Sequence, residues 1–191
     1  MATENPFKRP DPAEIGDTKP DTIYPAVGEA LSTWENTERG FASIFAKVVA
    51  PIGSGFAARR AYGTIIANRV RREMIGAAAE VFFRNFPSAE AESELALLMG
   101  LYSTATGRRN DFAHGIIGGD VVKEKFWYFL VPNTWGSKSR DMNLQIEYRY
   151  SSAQIIEFKN KFIELGTRAF HLYEHLARLY REAPDRARAP Y

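Results

Sequence analysis

Cysteine is absent from this chain of 191 residues, which removes disulfides, thiolate catalysis and cysteine-ligated zinc together. Histidine is scarce, with only His114, His171 and His175, so a histidine-based site can be built in few ways. No apolar run approaches the roughly 20 residues that span a bilayer, and the opening MATENPFKRPDPAEIG holds no signal-peptide core. The expectation is a cytoplasmic protein with no membrane partner. Net charge is low as well: a formal +2 does not by itself argue for nucleic acid. Lysine is the minor cation, at 8 of 25 basic residues, leaving 17 arginines, the side chain suited to forked contacts with phosphate.

What is present suffices for a core, since 45% of residues are hydrophobic and 13% aromatic. Five of the ten prolines (Pro6, Pro10, Pro12, Pro20, Pro25) fall among charges in residues 1–25, which reads as a flexible arm that buries little. Residues 26–183 form the single expected domain. Val27, Leu31, Trp34, Phe41, Phe45 and Val48 recur at helical spacing until Pro51, Gly53 and Gly55 stop the run. A second helix is expected from Phe56 to about Phe86, with arginines distributed around it and Pro87 after it. Ser88 can cap a third, whose stripe is Leu95, Leu98, Met99, Tyr102 and Ala105. Gly107 offers a break, after which residues 108–114 again read as helical before Gly115, Gly118 and Gly119 end the segment.

Residues 121–150 change pattern. The run from Phe126 to Val131, a polar turn and the alternating stretch from Leu144 to Tyr150 together predict a β-hairpin. Trp135, Lys138 and Arg140 at its tip place an aromatic beside cations, a candidate for RNA contact. Ser151 or Ser152 can cap a last long helix running to about Pro184, with residues 184–191 as a tail. The expected architecture is mainly α, four long helices in a bundle with a hairpin inserted before the last.

Two constellations carry chemistry. His171, Glu174 and His175 match the H-x-x-E-H of inverted zinc peptidases, but too little chain follows to supply a third ligand, and no metal or other cofactor is expected. The other is Arg108-Arg109-Asn110-Asp111-Phe112-Ala113-His114-Gly115. Extending the third helix's stripe through Ala105 reaches Arg109, so a permanent charge falls on an apolar face and needs a carboxylate, a phosphate or a second chain. Glu38, which interrupts the first helix's stripe between Trp34 and Phe41, is the candidate intramolecular partner. An imidazole, with an unperturbed pKa of about 6.5, can exchange protons near neutrality. Asn110 lies one turn before His114 and can orient it, while Arg109 sits about 140° around the axis and only its length brings it to a shared phosphate.

The string RNDFAHG resembles the signature of the HEPN superfamily, an arginine followed after a short spacer by histidine, with a polar residue, often asparagine, next to the arginine. Arg168 and His175 reproduce the bare spacing, so the discrimination rests on the full string. The resemblance implies a helical frame, a metal-independent endoribonuclease, and Arg109, Asn110 and His114 as its site; Arg108, Asp111 and the Glu38 read from the first helix's stripe are supporting candidates. It also implies RNA as substrate, a homodimer that brings two copies of the motif into one cleft, and a toxin or defence role with an antitoxin or other regulatory partner. Non-catalytic, nucleotide-binding or regulatory modules occur in the same superfamily.

Overall fold

The computed structural model of the chain describes residues 5–133 and 148–183. The protein is mainly helical, with one two-stranded antiparallel hairpin before the last helix. In order these are α1 (Ile23–Val49), α2 (Phe56–Gly63), α3 (Asn68–Asn85), α4 (Ala89–His114), β1 (Gly115–Val122), β2 (Lys125–Pro132) and α5 (Ser152–Glu182). No described helix is long and apolar enough to cross a membrane. Contacts divide the chain into two units, Met1–Trp34 with Thr104–Ile163, and Glu35–Ser103 with Glu164–Tyr191.

The first unit is built around rings. Phe162 stacks on Phe7 at 5.7 Å, meets Trp34 edge-on at 5.3 Å and lies 6.2 Å from Phe112, which in turn packs on Tyr150 and Phe158. Burial of Phe7 overturns the flexible arm expected for residues 1–25 over its described part, from residue 5 onward. Asn5 bonds Thr104 at 3.0 Å, Ala13 bonds the carbonyl of Arg149, and Asp17 pairs with Tyr128 of β2 and accepts from the backbone N–H of Ser152. Gly16 lies so close to β2 that an added Cβ would stand 2.5 Å from the Tyr128 carbonyl oxygen. Pro6, Pro10 and Pro12 fall in the part of the arm that is not helical, while Pro20 opens a short 3-10 turn and Pro25 lies in the first turn of α1. An extended strap needs no helix, and it buries one aromatic and places its polar groups against the domain.

The hairpin also departs from expectation. Phe126 to Val131 does form a strand, β2, and it pairs along its length with the glycine-rich β1, while residues 144–147 of the expected second strand lie outside the described residues. Lys123 and Glu124, both at positive φ (52° and 65°), form the two-residue turn between them. The glycines of β1 look like helix stops in sequence. In the structure Gly119 is room for a ring, because a Cβ there would lie 2.2 Å from Phe126. Tyr150 contributes one bridge, to Leu130 on the other edge of β2.

The second unit holds a separate core in which Phe41 packs on Tyr102 at 4.3 Å, Phe45 on Tyr62 and Phe86 on Tyr180, among the buried Ile44, Ile75, Leu98 and Leu172. Here the single helix expected from Phe56 to Phe86 is two. Thr64 closes α2 by donating to the Ala61 carbonyl, and Arg71 takes the Ile65 carbonyl at 2.7 Å, so the interruption leaves that carbonyl satisfied. At two helix starts serine acts as foreseen. Ser88 accepts from Ala91 at 3.2 Å, and Ser151 and Gln154 exchange reciprocal bonds at the head of α5.

Candidate functional site

The candidate residues lie on the last turns of α4, which continues without a break through Gly107. Leu98, Tyr102, Ala105, Phe112 and the charged pair Arg108 and Asp111 are buried. The inward stripe therefore advances by three at Ala105 and takes Arg108, not Arg109, into the interior. Arg109 is half-buried, and Asn110, Ala113 and His114 are exposed. That corrects the expectation of a guanidinium of Arg109 on the apolar face.

Asp111 is the hub of the interior side. Arg9 of the strap reaches it at 2.8 Å and stacks over Tyr148, and the Tyr150 hydroxyl donates to its carboxylate at 2.9 Å. Tyr148 donates to the Asp111 carbonyl at 3.1 Å. Arg108 Nε stands 3.2 Å from the carboxylate, close enough for an ion pair, yet it is off the hydrogen-bonding direction and its buried N–H has no acceptor. Burial, followed by the negative Asp111, pushes the Tyr150 phenol well above its ordinary range, so it stays a donor. Sequence reading offered Arg108 and Asp111 as supporting residues but missed Arg9, Tyr148 and Tyr150. The alternation of Phe7 and Arg9 in an otherwise polar arm was the one local signal of a docked strap.

On the outer side, Asn110 and His114 lie one turn apart on the same exposed face, and Arg109 Nη1 donates to Asn110 Oδ1 at 3.4 Å. One helix end thus carries an exposed amide and an exposed imidazole, with the half-buried Arg109 bonded to the amide. The polypeptide turns at Gly115 directly into β1, where Leu130 and the Asp111 carbonyl leave no space for a Cβ.

Glu38 belongs elsewhere. Its carboxylate accepts from Tyr102 at 2.6 Å and Tyr62 at 3.3 Å and pairs with Arg71 at 3.0 Å, so its ion-pair partner is Arg71, where sequence offered Arg109. Arg71 arises from α3, an element whose inward arginine could not be told from its neighbours Arg69 and Arg72 in sequence. Arg168, the other arginine at HEPN-like spacing, makes a forked contact with Glu94 at 2.9 and 3.1 Å. His171 and His175 border a groove with Glu90 and Glu94, and no three metal-ligating side chains converge among the described residues. Trp135, Lys138 and Arg140 lie outside the described residues. No family model, curated protein or solved structure matches the chain.

Proposed function

We propose that this chain is a metal-independent endoribonuclease of the HEPN type, working in the cytoplasm as a homodimer. The observation that supports it is the separation of roles along α4: Arg108 and Asp111 belong to a buried network, while Asn110 and His114 are exposed one turn apart and the half-buried Arg109 donates to Asn110.

Such a trio matches what RNA cleavage by its own 2′-hydroxyl requires. One imidazole removes the 2′ proton or protonates the departing 5′-oxygen, and a guanidinium holds the phosphorane oxygens with a forked contact. Asn110 orients the histidine or the phosphate. A single chain supplies one imidazole where the reaction uses a base and an acid, so a two-fold dimer that brings two motifs into one cleft completes the set. The products carry a 2′,3′-cyclic phosphate and a 5′-hydroxyl. A chain of this kind acts as a toxin or defence effector under the control of an antitoxin or other regulatory protein.

A second reading, a non-catalytic nucleotide-binding or regulatory HEPN module, is favoured by the same buried network, which shows that two charged residues of the motif serve the fold. Incubating the purified protein with total RNA in EDTA separates the two. Cleavage that leaves cyclic phosphate ends supports the ribonuclease, and intact RNA at every protein concentration supports the module.

A further inference from the structure

From Arg39 to Arg72 the chain contains no aspartate or glutamate and carries seven arginines and lysines. This stretch includes α2 and the connections on either side of it, and while Phe41, Ile44, Phe45 and Tyr62 are buried, three large apolar side chains in and beside α2 stand far into solvent. Ile66 is 94% exposed, Phe56 70% and Ile52 64%. Isolated exposed apolar residues are ordinary, but Ile52, Phe56 and Ile66 are three of this size on and beside one short arginine-rich helix.

The exposure is held in place by the fold. Arg71 is locked between the Glu38 carboxylate at 3.0 Å and the Ile65 carbonyl at 2.7 Å, with its guanidinium over Tyr62. That clamp fixes the residue next to Ile66, so the isoleucine projects from a tied turn. Tyr62 is the buried face of α2, and Arg60 lies one turn beyond Phe56 on the exposed one. Arg69 has only the exposed Glu73 at 3.4 Å, and Arg59, Arg60 and Arg72 form no ion pair with any described residue.

We propose that this face, residues 52–72, docks on an anionic lipid bilayer, with Ile66, Phe56 and Ile52 entering the headgroup boundary and Arg59, Arg60, Arg69 and Arg72 meeting lipid phosphates. Aliphatic tips among arginines suit a surface that is apolar just beneath a layer of negative charge. A second copy of the same face would set arginine against arginine, and RNA gains stacking from Phe56 alone, because an isoleucine has no π-face to offer a base. Sequence alone, read for spanning segments, points away from any membrane; a peripheral surface needs no such segment. This inference is independent of the ribonuclease reading.

The test is co-sedimentation of the full chain with vesicles of phosphatidylcholine, and with vesicles in which phosphatidylglycerol replaces part of it. Binding is expected only to the second and should weaken with salt. Ile66→Ser should lower the partition coefficient about tenfold, from the transfer of one large aliphatic side chain. Each of Arg59→Gln and Arg60→Gln should lower it about fivefold and reduce the salt dependence. An Ile66→Trp chain should shift its emission to the blue on anionic vesicles only. Circular dichroism checks folding, and Phe56→Ser replaces Ile66→Ser should that variant unfold. Absence of binding to anionic vesicles overturns the proposal, as does equal binding to neutral ones. So does a vesicle-independent self-association, or an affinity for single-stranded RNA, that Ile66→Ser or the arginine variants abolish while vesicle binding is unaffected by them.

Discussion

Arg9 and Asp111, 102 residues apart in sequence, are joined at 2.8 Å, and this contact fastens the N-terminal strap to the inner side of the helix that carries the candidate site. Asp111 also receives the Tyr150 hydroxyl and neutralises the buried Arg108, so it is the residue on which the network depends.

Asp111→Ala should therefore destabilise the fold by about 3–5 kcal/mol, because it strands a buried guanidinium, whereas Arg9→Ala should cost about 1.5–3 kcal/mol for a forked contact at a half-exposed site. Urea unfolding of the two variants checks the order. Equal, small losses would mean that Arg108 has found another partner or water.

His114→Ala should abolish RNA cleavage while changing stability by less than about 0.5 kcal/mol, since the side chain is exposed. Arg109→Lys should also lose most activity, because an ammonium keeps the charge but not the fork. Gel assays of end-labelled RNA beside thermal melts give both numbers. A folded His114→Ala chain that cuts normally removes the imidazole from the mechanism.

Mixing an Arg109→Ala chain with a His114→Ala chain tests whether the site is shared. A heterodimer retains one arginine and one histidine, which neither homodimer combines. Partial recovery of cleavage on mixing is expected where one of each is enough. Sedimentation of the active wild-type chain supplies the stricter check: a monomer at the concentration of the assay excludes a composite site.

Burial lifts the Glu38 carboxyl above the usual carboxylate range, with the hydrogen bond from Tyr102 and the charge of Arg71 opposing it. The folded state then holds its proton more tightly than the unfolded one. This contribution to stability is complete below the ordinary glutamate pKa and is lost as pH rises through the elevated folded value. Glu38→Gln should flatten stability against pH across that window, and denaturant melts at a series of pH values measure it. An unchanged slope in the variant assigns the pH dependence to other groups.

Much of the fold was written locally. The spacing of Trp34, Phe41 and Phe45, of Leu98 and Tyr102, and of Leu165, Leu172 and Leu176 marks helices because their periodic burial needs no knowledge of the partner. Ser88 and Ser151 mark helix starts through bonds that span three residues. The exposed one-turn pairing of Asn110 and His114 was legible for the same reason, as a property of one helix. Tertiary structure decided what depends on distant residues. Whether Arg108 or Arg109 turns inward rests on Arg9 and Tyr150, which lie 99 and 42 residues from Arg108 in number but meet at Asp111. Whether Glu38 meets Arg71 depends on how α3 is set within its unit. Gly119 reads as a breaker until the ring of Phe126 covers it, and the proline-rich strap reads as loose until Phe7 finds Phe162. Backbone periodicity and caps are short-range and can be read along the chain; the choice of which charge is buried is made by groups that only folding brings together.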